Sequence, residues 1–338
     1  MRTVLGGIIM KVYFLAATMM GMIAHSAYAE PVTLRLGHAV FESHPNHDTA
    51  VRFKEAVERI SNGDVKIEIF PSRQLGDVKE LMEGVELGTI DMAVNSSSAL
   101  ATMIPSINAL QLPGIIPDYE GFAKLALSDS ARAIMDKTED HGMIVLGLYD
   151  GGQRHFLSIG KPVESLADLK GLKTRVPPTP LFIDIWKTLG TNPTPMAYGE
   201  VYSALETGAL DAVEINLSSI DSEKYYEVAK GVTLTGHYFW PSLLLINKDT
   251  FETLEPAQQK AMRDAATETI HPQVMAVAEQ DKRVLATLAE RNIPVIEPSA
   301  EMKAQMREVL APLVEKYKAG DPLIAAFADE AAALNGAQ

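Results

Sequence analysis

The chain has 338 residues, of which 47% are hydrophobic and 22% are charged, and its formal net charge is −14. A chain of this length and hydrophobicity buries a large core and fits two domains better than one. The acidic balance argues against nucleic acid or an anionic membrane as a partner. The absence of cysteine excludes disulfides, thiolate chemistry, cysteine-ligated metals and a cysteine-linked lipid anchor.

The N-terminus has the pattern of a secretory signal peptide. Basic residues precede the apolar run 12–23, and a small-x-small sequence ends at Ala29. The run is far shorter than the ~20 apolar residues that span a membrane. We therefore expect residues 1–29 to be removed between Ala29 and Glu30, which places the product in the periplasm.

From residue 31 onward, strand patterns alternate with helix patterns. This β-α-β-α order predicts a mostly parallel sheet. Residues 119–137 are expected to form one long helix, followed by a strand at 143–149. Residues 255–291 predict a helix of ~55 Å, interrupted at His271-Pro272, which is long enough to cross two lobes.

Two segments of the chain resemble each other. Residues 80–94 align with residues 200–214, and each copy has a glutamate, a glycine eight positions on and an aspartate eleven positions on. Chance similarity stays open because helix-Gly-strand is common in α/β proteins, but the repeat favours two like-built lobes with a cleft between them. The expected lobes are 30–150 with about 241–280, and 151–240 with about 281–338.

The common catalytic motifs are absent from the sequence. It has no Gly-rich phosphate loop, no His-Glu-x-x-His and no Gly-x-Ser-x-Gly. The pair His44-x-x-His47 has no further metal ligand nearby, which predicts a solvated loop. We therefore expect a binding protein rather than an enzyme, with no cofactor and no metal.

Two arginines are candidates for holding an anion. Arg175 lies in the apolar strand 173–176, before Pro177, and Arg154 follows Gly151-Gly152-Gln153. A buried guanidinium requires a partner, and a carboxylate ligand fits its fork of donors bidentately. A structural ion pair is the alternative for each, since the chain has 44 acidic residues.

Six motifs together carry a family resemblance. They are Leu34-Arg35-Leu36-Gly37-His38, Ile69-Phe70-Pro71-Ser72-Arg73-Gln74-Leu75-Gly76, Gly88-Thr89-Ile90-Asp91-Met92, Gly171-Leu172-Lys173-Thr174-Arg175-Val176-Pro177, Pro193-Thr194-Pro195-Met196 and Glu200-Val201-Tyr202-Ser203-Ala204-Leu205-Glu206-Thr207-Gly208. The mature chain resembles the DctP-like solute-binding proteins of tripartite ATP-independent periplasmic (TRAP) transporters over nearly its whole length.

The resemblance implies a two-lobed α/β periplasmic binding protein fold, with a cleft between the lobes and a long helix spanning both. Such a protein closes on a small organic carboxylate and delivers it, as a monomer, to the membrane permease subunits. In this family Arg175 would pair with the ligand carboxylate and Arg154 would assist. The aromatic residue two positions after Pro-Met, here Tyr198, would pack on the ligand.

This sequence departs from the family pattern at several positions. The family has asparagine where this chain has Ile215, and Asn216, one step along a strand, should point to the opposite face. Sialic-acid-binding members have polar or acidic ligand contacts at the positions that Ala39, Val78 and Ser96 occupy in this chain. Trp240 lies near another of their polar positions. We therefore expect a less hydroxylated ligand, an aromatic or short aliphatic acid.

Several alternatives remain open at this point. A C4-dicarboxylate fits if Arg154 holds a second carboxyl group, and a sugar acid fits the family. Trp240 either contacts the ligand or packs in a hinge strand. The other hypotheses are a sensory receptor and an enzyme with Glu200 or Glu214 as its general base. The predicted ligand contacts are Arg175, Arg154, Tyr198, Ile215, Trp240, Ser96, His38 and Asn216.

Overall fold

The structure is a computed structural model that describes residues 30–336, and the predicted signal peptide, residues 1–29, lies outside the described range. The strands are β1 (Val32–Gly37), β2 (Val65–Phe70), β3 (Met92–Ser96), β4 (Met143–Ser158), β5 (Lys173–Val176), β6 (Asn192–Pro195), β7 (Ala212–Asn216), β8 (Gly231–Thr233), β9 (Phe239–Asn247) and β10 (Val295–Ile296). The helices are α1 (Pro45–Ile60), α2 (Val78–Glu86), α3 (Tyr119–Leu125), α4 (Asp129–Met135), α5 (Pro180–Thr188), α6 (Val201–Glu206), α7 (Leu217–Ser222), α8 (Lys248–Glu252), α9 (Pro256–Glu290), α10 (Ala300–Gly320) and α11 (Pro322–Gly336). Within residues 30–336, we find no helix with the length and apolar character to cross a membrane.

The strands follow the order β2-β1-β3-β9-β4-β7-β5-β6, with β8 and β10 attached beside β4. The outer strands pair in parallel, as the β-α-β-α pattern predicts. The prediction of a mostly parallel sheet is wrong at the centre, where β9 and β4 run antiparallel to their neighbours. Strand β4 is long enough to pair with β9 along its first part and with β7 along its last five residues. It therefore connects the two parallel halves.

The repeat seen in the sequence has the same local structure in both copies. Gly88 and Gly208 follow their helices with φ of 71° and 70°, the left-handed conformation that glycine adopts without steric cost. Asp91 and Asp211 then each accept a hydrogen bond of 2.8 Å from a backbone N–H of the adjacent strand, β1 and β5 respectively. The two parallel halves are therefore built alike.

Two helix predictions differ from the structure. The helix expected over 119–137 is divided into α3 and α4, because the Ser128 side chain caps a new helix by accepting from the Ala131 N–H at 3.1 Å. The long helix α9 continues through Pro272 for 35 residues, rather than being interrupted there. It packs against α1 and β4 and also against α7, so it contacts elements of both parallel halves.

The prediction of a solvated loop at His44 is wrong. His44 is buried, its Nδ1 accepts from the Asn46 N–H at 3.1 Å to cap α1, and its Nε2 lies 3.2 Å from the Ser219 hydroxyl at α7. Burial, with a smaller contribution from the charges of His38 and Arg154, lowers the pKa of His44 to about 3. The side chain is therefore a neutral link between α1 and α7.

Candidate functional site

Five of the eight predicted contact residues line a single cavity of about 580 Å³, namely Arg154, Arg175, Tyr198, Trp240 and Ser96. They come from β4, β5, the turn before α6, β9 and the end of β3. The cavity thus opens between strand ends and helix starts of the two parallel halves, where α/β proteins bind small ligands. Its volume lies within the range that holds one small organic molecule.

Arg175 is a buried guanidinium without an acidic partner. Its side chain is only 3% exposed, and Nε and Nη2 both donate to the Met196 carbonyl, at 3.1 and 2.9 Å. No carboxylate within residues 30–336 forms an ion pair with it. Burial lowers the pKa of Arg175, Glu214 partly offsets this, and the charge of Arg154 lowers the pKa further. An anion entering the cavity would relieve this unfavourable environment.

Arg154 is paired inside the protein. Its Nε and Nη2 donate to the two carboxylate oxygens of Glu214 at 2.8 and 2.7 Å, and Nη2 also donates to the Glu214 carbonyl at 2.7 Å. Both side chains are almost fully buried. The pairing follows from the antiparallel β4–β7 register, in which Arg154 lies opposite Asn216 and Phe156 opposite Glu214. Here the structural ion pair, left open by the sequence, is the arrangement observed.

Glu214 is the centre of a buried polar network. Tyr238 donates to Glu214 Oε2 at 2.8 Å, and His237 Nε2 lies 3.6 Å from the same oxygen. Burial on its own raises the pKa of the Glu214 carboxyl, but Arg154 and His237 outweigh burial and lower the pKa to about 2. Glu214 is therefore ionised at neutral pH and is unsuited to act as a general base.

Tyr198 and Trp240 form two walls of the cavity. The Tyr198 hydroxyl donates to Ser219 at 3.1 Å, which leaves its ring against the cavity. The Trp240 indole N–H donates to Ser96 Oγ at 2.8 Å, and the Arg154 guanidinium lies 5.6 Å from the indole ring. Trp240 therefore lines the cavity and also ties β9 to β3.

Three predicted contacts lie outside the cavity lining. Ile215 is fully buried among apolar side chains on the other face of β7. Asn216 donates to the Gly151 carbonyl and to Ser218, so its amide bridges β4 and α7. His38 Nε2 lies 3.0 Å from His47 Nδ1.

Sequence reasoning missed several polar residues of the cavity lining. Ser98 and Thr102 line the cavity after β3, and Glu80 lines it from α2. Glu200, considered only as a helix-start residue or a base, also lines the cavity. The run Ser96-Ser97-Ser98 at a strand end was the available signal, because hydroxyl groups at such ends commonly contact ligands.

Comparisons with known proteins identify the family to which this chain is similar. The model of the bacterial extracellular solute-binding proteins, family 7, matches residues 36–320. The 2,3-diketo-L-gulonate-binding periplasmic protein YiaO of Escherichia coli is 33% identical over 78% of this chain and 80% of that protein. The C4-dicarboxylate-binding periplasmic protein DctP of Rhodobacter capsulatus is 29% identical over 85% of this chain and 86% of that protein.

Solved structures agree with the sequence relatives. The sugar acid binding protein DctPAm of Advenella mimigardefordensis, in complex with galactonate, has a TM-score of 0.85 and 28% identity, covering 89% of this chain and 98% of that chain. A TRAP periplasmic solute-binding protein of Haemophilus influenzae with bound L-gulonate also has a TM-score of 0.85, with 27% identity over 91% of this chain and 100% of that chain. These relatives are solute-binding receptors and not enzymes. The chain therefore belongs to family 7 of the bacterial extracellular solute-binding proteins, the periplasmic receptors of TRAP transporters.

Proposed function

We propose that this receptor binds a sugar acid, with Arg175 holding the carboxylate, and delivers it as a monomer to the membrane subunits of a TRAP transporter. The observation that carries the proposal is the buried Arg175 guanidinium, which lines the cavity and, among residues 30–336, donates hydrogen bonds only to a backbone carbonyl. A buried cation of this kind is costly for the empty protein and is stabilised by a carboxylate ligand. The predicted signal peptide is the route of export.

The cavity wall supports a hydroxylated ligand over the less hydroxylated acid expected from the sequence. That expectation depended on the loss of one amide and on finding Ala39, Val78, Ser96 and Trp240 at or near positions that are polar or acidic in sialic-acid-binding members. The structure supplies other hydrogen-bonding groups, the hydroxyls of Ser98 and Thr102 and the carboxylates of Glu80 and Glu200. Relatives that bind galactonate, L-gulonate and 2,3-diketo-L-gulonate also favour the sugar-acid alternative.

The proposed lobes are residues 30–150 with about 241–280, and residues 151–240 with about 281–338. Arg73 of the first lobe pairs with Glu223 of the second at 3.1 and 3.2 Å. Asp77 accepts from the Gly199 N–H at 2.9 Å across the same boundary. These contacts support a closed arrangement, which removes water from around the ligand and strengthens its ion pair with Arg175.

A thermal-shift screen of organic acids on the purified protein tests the ligand class. A ligand at 100-fold its Kd stabilises a protein by ~2.7 kcal/mol, which raises Tm by several degrees at most for a chain of this size. We expect galactonate or gulonate to raise Tm, and benzoate and short aliphatic acids to leave it unchanged. If benzoate alone raised Tm, the ligand would belong to the less hydroxylated acids and the proposed sugar-acid class would be wrong.

A further inference from the structure

The charges around the cavity are distributed unevenly. Arg154, Arg175 and Lys79 are the cations that line it within the described residues. The Lys79 ammonium is mostly exposed and lies 3.4 Å from Glu83, so it is paired on the surface of α2. The capacity of the cavity for anions therefore depends on the two buried guanidinium groups.

The donors of Arg154 are already used. Three hydrogen bonds go to Glu214, and Nη1 lies 3.4 Å from the Asn216 side-chain oxygen. These contacts occupy four of the five N–H donors that a guanidinium carries. The full negative charge of Glu214 also cancels the positive charge of Arg154. A ligand carboxylate therefore has neither a pair of free donors nor a net positive charge to meet at Arg154.

The donors of Arg175 remain partly free. Within the described part of the chain, Arg175 donates only to the Met196 carbonyl, through Nε and one N–H of Nη2. Three donors remain, and a bidentate contact with a carboxylate requires two. The cavity thus offers one complete carboxylate position.

Three carboxylates line the cavity and form what we call the acidic wall. They belong to Asp77, Glu80 and Glu200, at the starts of α2 and α6. A second carboxylate on the ligand would be repelled by these three groups, whereas a hydroxyl group could donate hydrogen bonds to them.

We infer that the site accepts one carboxylate only, because Glu214 neutralises Arg154 and the acidic wall repels a second anion. This inference rests on the proposed function and narrows it to monocarboxylic sugar acids, excluding sugar diacids and C4-dicarboxylates.

The test compares ligands that differ only at their far end. Galactonate has a terminal hydroxymethyl group where galactarate has a second carboxylate, and both are titrated calorimetrically into the purified protein. We expect galactarate to bind at least about 100-fold more weakly, given Coulomb repulsion by several like charges in a partly desolvated site. Equal or tighter binding of galactarate, or binding of succinate, would overturn the single-carboxylate inference and leave the proposed function standing. If neither sugar acid binds, and glucuronate and gulonate also fail, both proposals fall.

Variants of the acidic wall separate charge from shape. Glu80 and Glu200 are exposed, so the double variant Glu80→Gln/Glu200→Gln should fold and should narrow the preference for galactonate over galactarate about 10-fold. The double variant Glu86→Gln/Glu206→Gln removes the same charge from the same two helices outside the cavity lining, and it should keep the wild-type ratio. An unchanged ratio in the wall variant would overturn the role of the acidic wall.

Discussion

Arg154 and Glu214, on adjacent antiparallel strands, are joined through both carboxylate oxygens at 2.8 and 2.7 Å, while Arg175 has no acidic partner among the described residues. The two arginines that the sequence suggested as a pair of ligand contacts therefore differ in role. One maintains the wall of the cavity, and the other remains available to an anion. The predictions below follow from this difference.

Replacing Glu214 should destabilise the protein. Glu214→Gln leaves the Arg154 charge buried without a counter-ion, and breaking such a pair costs about 3–5 kcal/mol. Urea unfolding monitored by fluorescence would measure the loss. The exposed control Glu206→Gln should change the free energy of unfolding by no more than about 0.5 kcal/mol. Equal stability of the two variants would mean that the buried pair contributes nothing.

Replacing Gly151 should displace Trp240. A methyl group at Gly151 would overlap the Trp240 ring and lie 3.1 Å from the Trp240 carbonyl oxygen. Such overpacking costs about 1–3 kcal/mol, and we expect Gly151→Ala also to weaken ligand binding because Trp240 lines the cavity. Gly160→Ala is the matched control, since its added methyl group meets no heavy atom within 4 Å. Wild-type affinity and Tm in Gly151→Ala would contradict this packing.

The Arg73–Glu223 contact should favour the closed form. Arg73 adopts a φ of 64°, which is unusual for a residue with a side chain, and it binds Glu223 as well as the Ala39 carbonyl at 2.8 Å. Removing contacts that are present only in the closed state lowers the apparent affinity by the free energy that those contacts contribute to closure. We expect Arg73→Ala to raise Kd about 10-fold, chiefly through faster ligand release in stopped-flow experiments. Arg52→Ala, which breaks a surface pair within α1, should leave the release rate unchanged.

Acid should destabilise the protein from about pH 6.5 downward. Burial is the main reason that the pKa values of His38, His44 and His155 are lowered to about 4, 3 and 3. Each of these histidines is therefore neutral in the folded protein near pH 5 and takes up a proton on unfolding. Their contribution to stability is lost as the pH falls below the ordinary histidine pKa. Asp281 has the opposite sign, because burial raises its pKa to about 7 and the folded state keeps that proton.

Burial also lowers the pKa of His237 and raises that of Asp150, so four histidines with lowered pKa values oppose two aspartates with raised ones. The free energy of unfolding should therefore decrease as the pH falls from 6.5 to 5, with a slope set by the net proton uptake on unfolding. Urea unfolding between pH 4.5 and 6 measures this slope. The variant Asp281→Asn removes one opposing proton and should make the slope steeper. A free energy of unfolding that does not change between pH 6.5 and 5 would contradict the buried, neutral state of these histidines.

The burial of Arg175 is predicted from the sequence, whereas the partner of Arg154 is left open. A charge inside a short apolar strand is a local signal, and the resemblance to a family adds the prediction that Arg175 pairs with a ligand carboxylate. The partner of Arg154 lies 60 residues away, and their contact depends on the antiparallel β4–β7 register, which the β-α-β-α pattern does not predict. The acidic wall was missed for a similar reason: Glu80 and Glu200 are each ordinary helix-start residues, and only the fold brings them to one cavity.

Titration of galactonate or gulonate into the wild-type protein and the Arg175→Gln variant tests the central claim most directly. Loss of a buried ion pair of this type costs about 3–5 kcal/mol, which is about half of the ~8 kcal/mol of a micromolar complex and moves its Kd into the millimolar range or close to it. Binding to Arg175→Gln should therefore be undetectable by calorimetry, Arg175→Lys should bind weakly, and the Tm without ligand should stay within a few degrees of wild type. A correctly folded Arg175→Gln variant that binds the sugar acid with wild-type affinity would contradict the account.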